Sequence, residues 1–142
     1  MATRNEVMDA LIALALTCAG VDVAQKGAPE NLPQANRVFH ISVIDSPRSP
    51  TPVGRDTLTQ NFLCVWETAV RADEGRTEAD LADFLDDWHP KFIAAQQGGG
   101  PLAGATWDNT LAAAPDYRPV AEVEGRSYPF IVSTRISLPR FP

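Results

Sequence analysis

His40 and His89 are the only histidines of the chain, and so the first side chains to weigh for proton transfer at neutral pH. Neither has a neighbouring nucleophile and carboxylate in an arrangement that names a mechanism. The serines form no G-x-S-x-G, and Cys18 and Cys64 match no histidine through a nucleophile signature. A hydrolase-like reading, His40 or His89 with an aspartate, rests on assembly in space alone. The expectation for both is a structural or surface role. Asp80, Asp83, Asp86 and Asp87 form the densest acidic group, with Asp80, Asp83 and Asp87 on one helical face by spacing. Carboxylates in that density suit a divalent cation. The interleaved ligands and loop glycine of a calcium loop are missing, so a solvated acidic face is expected, with no metal and no cofactor. The glycine-rich GGGPLAG at 98–104 lacks the lysine of a phosphate loop and follows no strand, so it reads as a connection.

The elements that must position these residues are legible in the periodicity. Thr3-Arg4-Asn5-Glu6 fits a capping box with Thr3 as N-cap. Met8, Leu11, Ile12, Ala15 and Leu16 then recur at helical spacing, Val7, Leu14 and Cys18 widen the stripe, and Gly20 is a candidate stop. Val21 and Val23 suggest a short strand or arm. In RVFHISVID, Phe39, Ile41 and Val43 alternate with His40 and Ser42, which marks a half-buried strand. TLTQNFLCVWETAV, residues 57–70, carries Leu58, Phe62, Cys64, Trp66 and Val70 on one parity and Leu63 and Val65 on the other. That is a long central strand, paired with 37–45 as a wide hairpin.

Asp73 to Arg76 reads as a turn, and Thr77 as the N-cap of a second helix with acids in its first turn. Leu81, Leu85, Trp88 and Phe92 make one buried stripe, with Phe84 beside it. Pro90 predicts a kink or break near His89. The C-terminal third is β-like. It has a strand or extended stretch at 104–111, a turn around Asp116-Tyr117-Arg118, a short strand and turn near Val120 to Gly125, and a final strand YPFIVSTRISL. In that strand Phe130, Val132, Ile136 and Leu138 face one way and Ser133, Arg135 and Ser137 the other. The sum is an α+β fold, a mainly antiparallel or mixed β-sheet with two helices packed on one face.

The 142 residues suit a single domain spanning 1–142, able to remove about two thirds of its unfolded surface from water. A hydrophobic content of 44% is that of a globular chain. A net charge of −6 argues against nucleic-acid recognition, which needs clustered Lys and Arg. Cys18 and Cys64 lie among apolar neighbours and are expected as buried free thiols. The apolar run Ala10 to Ala19 is too short to cross a bilayer, and Glu6 and Asp9 offset the early arginine, so it reads as a core helix of a protein made in the cytoplasm and not as a signal peptide.

A capped apolar helix comes first, then a proline-bearing extended stretch, a strand and a long strand LTQNFLCVWETAV. The helix TEADLADFLDDWHPKFIAA, an irregular section and the amphipathic strand YPFIVSTRISL follow. This order resembles the tail terminator proteins of long-tailed bacteriophages, over about residues 3 to 138. The resemblance implies a β-sheet flanked by helices, a homohexameric ring on the last ring of tail tube protein, and a surface for the head connector or neck protein. It implies a location in the virion and no catalytic residues. The alternatives are a head-completion or neck connector subunit and a small non-enzymatic module that binds a ligand in an apolar pocket between sheet and helices.

The loop SPRSPTPVGRD at about 46–56 departs from that pattern. Pro47, Pro50 and Pro52 would stiffen a projecting arm and lower the entropy lost on docking, and Arg48 and Arg55 would give it charge to meet an acidic surface such as Asp80, Asp83 and Asp87 of a neighbouring copy. Trp107, Tyr117 with Arg118, and Phe141 fall in or near expected loops and are candidate interface anchors. Deletion of residues 47–54 is expected to lower the assembled fraction in a native mass measurement; unchanged assembly removes the arm.

Overall fold

The computed structural model describes residues 2–27, 37–44, 57–69, 74–108, 116–120 and 123–137. Two helices, α1 (Arg4–Leu16) and α2 (Glu74–Gln97), lie on one face of a six-stranded sheet. The strands are β1 (Val23–Lys26), β2 (Arg37–Val43), β3 (Thr57–Ala69), β4 (Thr106–Asp108), β5 (Asp116–Val120) and β6 (Val123–Ser137). Their order is β1-β2-β3-β6-β4, with β5 also paired to β6. The β1–β2 pair is parallel and the others antiparallel, so the sheet is mixed and the fold is α+β, as the periodicity predicts.

Helix α1 starts where its capping residues place it. The Thr3 hydroxyl accepts from the Glu6 N–H at 3.3 Å and donates to the Glu6 carboxylate at 3.2 Å. At the other end Thr17 caps the helix, its hydroxyl donating to the Leu14 carbonyl. The helix therefore stops before Gly20, and Gly20 has a different task. It takes a φ of 79°, its carbonyl accepts the Trp66 indole N–H at 2.8 Å, and a Cβ there would stand 2.7 Å from the Asp80 carbonyl oxygen and 3.3 Å from Phe84 Cβ. The exit of α1 is thus pressed against α2 and tied to β3 at one residue, a closeness that only glycine permits.

Helix α2 begins at Glu74, one turn before the expected Thr77 cap, so Glu74 to Arg76 of the expected 73–76 turn are helical, and Asp73 lies outside the described residues. It also runs unbroken through Pro90 to Gln97, where a break near His89 was the expectation. Pro90 removes one hydrogen bond from the exposed side of the helix, the side that also carries Asp86 and His89. Phe84 and Trp88 before it and Phe92 after it are all buried in the same core, and that burial outweighs one missing bond.

Strands β2 and β3 pair antiparallel, as expected of 37–45 and 57–70, in a register that sets Phe39 opposite Trp66 and Ile41 opposite Cys64. Strand β3 then pairs along its whole length with β6, from Thr57 opposite Ser137 to Ala69 opposite Gly125. Two expectations in the C-terminal third are overturned. Asp116 to Arg118 are not a turn but part of β5, and Gly125 is not a turn but part of β6, because the two strands pair tightly from Val120 opposite Val123. Pro119 is tolerated there because β5 lies at the rim of the sheet. Pro129 lies within β6 between the last β5 partner, Ser127, and the first β4 partner, Ile131, where the ladder on that side is interrupted.

Leu58, Phe62, Cys64 and Trp66 of β3, with Phe39 and Ile41 of β2 and Phe130, Val132 and Ile136 of β6, point at the helices. Trp88 of α2 is the hub of this layer. Its ring centroid is 5.5 Å from that of Phe39, 5.6 Å from Phe84, 5.8 Å from Phe92 and 5.4 Å from Phe130. Aromatic pairs at such separations add to the burial of their area. Gly20→Ala is expected to destabilise the protein by about 3 kcal/mol or more, from left-handed backbone strain and a clash with backbone, read as a lower midpoint in urea unfolding with an unchanged m-value.

Candidate functional site

The residues singled out in the sequence fall into different surroundings. Arg48, Arg55 and Phe141 lie outside the described residues. Tyr117 and Arg118 lie in β5. Trp107 lies in β4 and is half-buried, its ring 5.7 Å from Phe130, 6.4 Å from Trp88 and 5.4 Å from the exposed His89. It is an outer member of the core layer, placed on a strand and not in a loop. Among the described residues, that aromatic layer packs between the sheet and the helices, the place where the alternative reading sets a ligand pocket.

Of the aspartates on α2, two are committed inside the chain. Asp80 reaches the Arg37 guanidinium at 3.2 Å. Arg37 also clasps Asp22 through Nε and Nη2, both at 3.0 Å, while the Arg37 backbone N–H donates to the same carboxylate at 2.8 Å. The clasp ties the starts of β1 and β2 to α2, and the Asp22 hydrogen bond is the main cause that raises the Arg37 pKa further. Asp87 accepts the Ala19 N–H at 2.8 Å, and Lys91 donates to the Thr17 carbonyl, so α2 satisfies the backbone just past the end of α1. Asp80, Asp87 and Lys91 are thus one stripe at i, i+7 and i+11 that faces Arg37 and the backbone just past α1. Asp83, with Asp86, remains exposed to solvent. Among the described residues no group of three or more His, Cys, Asp or Glu side chains could hold a metal ion.

The face of the sheet away from the helices holds the one close imidazole–carboxylate pair described. His40 Nε2 lies 2.9 Å from Glu67 Oε2, with the two side chains 8% and 0% exposed. They come together because His40 and Glu67 sit diagonally across the β2–β3 ladder, where His40 is opposite Val65 and Val38 opposite Glu67. Histidine with a carboxylate can move a proton, but acyl transfer needs a nucleophile on the imidazole. Here Ser127 of β6 stands opposite Glu67, so the order across the face is hydroxyl, carboxylate, imidazole. The carboxylate intervenes where the imidazole of a triad belongs. Sequence reasoning weighed His40 without Glu67. The signal was an acid of the same parity as Val65 inside a strand apolar on both faces, once paired with 37–45.

Exposed apolar side chains occur on three elements. Leu16 is 53% exposed, Ile93 of α2 38%, and Val43 and Ile44 at the end of β2 41% and 38%. Beside α1 an open groove of about 440 Å³ is lined by Ala10, Ala13, Leu14 and Thr17, with Ala95 and the turn at Gly98 to Leu102 opposite. No described helix is long and apolar enough to cross a membrane. No protein-family model and no curated protein matches this chain.

Both cysteines are free and buried, and burial raises both thiols, Cys64 most strongly. A raised thiol holds little thiolate at neutral pH, so neither is placed to act as a nucleophile. Two outcomes follow. In the native protein neither thiol is alkylated by iodoacetamide at pH 7.5, although a free thiol, with a pKa of about 8.5, would react there, and both react once the chain is unfolded. Glu67→Ala lowers stability by about 3 kcal/mol by leaving its buried partner, and the double change His40→Leu with Glu67→Leu recovers most of that loss, as chemical unfolding would report.

Proposed function

We propose that this chain is a structural subunit that works by associating with copies of itself and with other proteins, and that it is a tail terminator of a long-tailed bacteriophage. In this reading six copies form a ring at the head-proximal end of the tail, end the polymerisation of tail tube protein and offer a surface to the head connector. It makes and breaks no covalent bond.

The observation that carries the reading is the placement of exposed apolar side chains on an otherwise acidic molecule. Leu16, Ile93 and the pair Val43 and Ile44 lie on three separate elements, α1, α2 and the end of β2. A ring needs heterologous contacts, in which one patch of a subunit meets a different patch of the next. Exposed apolar side chains on several elements suit that need better than one such residue. Each such side chain is already about half covered, so closing the rest with a neighbour contributes roughly half of the 1.5–3 kcal/mol of a fully exposed one. The sheet flanked by helices is also the architecture that the resemblance to tail terminators implies. The order of side chains around His40 and Glu67 favours a structural over a hydrolytic role for that pair.

The test is native mass spectrometry and negative-stain microscopy of the purified protein, alone and with purified tail tubes. Rings of six that cap the tubes are the expected result. Rings that bind a head connector but not tubes would move the protein to the neck. A monomer in every condition would overturn the reading, and in that case stabilisation by an apolar small molecule would favour a binding module. Leu16→Glu is expected to weaken self-association about tenfold or more, by ~1.4 kcal/mol or more, with an unchanged circular dichroism spectrum.

A further inference from the structure

We draw no further inference here: the strongest candidate, the open apolar groove between α1 and the turn at Gly98 to Leu102, is a surface for which nothing in the structure shows what covers it.

Discussion

The approach of three elements at Gly20 is the constraint on which the rest of the described structure depends. Trp66 of the central strand donates to the Gly20 carbonyl, and the α2 backbone at Asp80 leaves no room for a side chain on that residue. The backbone that leaves α1 is thereby locked to both its neighbours. Around this point the polar groups are arranged in support: Asp87 and Lys91 satisfy the backbone just past α1, and Arg37 draws Asp22 and Asp80 together. Each is a partly exposed contact of modest worth. Their shared effect is to set the position of α2, and with it the rings of Phe84, Trp88 and Phe92 over the sheet.

The two faces of the sheet are stabilised by different chemistry. Toward the helices it is an aromatic layer centred on Trp88, whose worth comes from buried area and ring geometry. On the other face a buried imidazole and carboxylate lie among Val38, Val65 and Ser127. A buried polar pair of that kind adds little net stability over an apolar pair, yet it penalises a shifted register, because a slip of one residue in β2 or β3 would strand either group alone. The aromatic layer alone does not discriminate so sharply, since rings repack more readily than buried polar groups find new partners.

Much of this was legible in the residues. The parity of Leu58, Phe62, Cys64 and Trp66, the Thr3 cap and the Leu81 to Phe92 stripe each reflect a local rule that tertiary contacts reinforce. The misreadings share a cause. Pro90, Gly125 and Asp116 to Arg118 break local rules of helix and strand formation, but each lies in an element held by distant partners: the core rings for α2, β3 for Gly125 and β6 for Asp116 to Arg118. Local propensity of about 1–3 kcal/mol yields to such packing. The commitment of Asp80 and Asp87 within the chain was hidden for the same reason. Spacing showed that they share a face of α2, and only the tertiary arrangement shows that this face looks onto α1 and Arg37 rather than onto solvent.

The direction of the strands at the two rims has a consequence for any row of copies. Strand β1 runs with β2, whereas β4 and β5 run against β6, so the opposite borders of the sheet point opposite ways. Copies set side by side in one orientation therefore bring antiparallel borders together, the arrangement with the straighter hydrogen bonds. Copies turned head to foot bring like borders together instead. Were that one four-residue strand antiparallel to β2, copies in one orientation would meet through parallel borders instead.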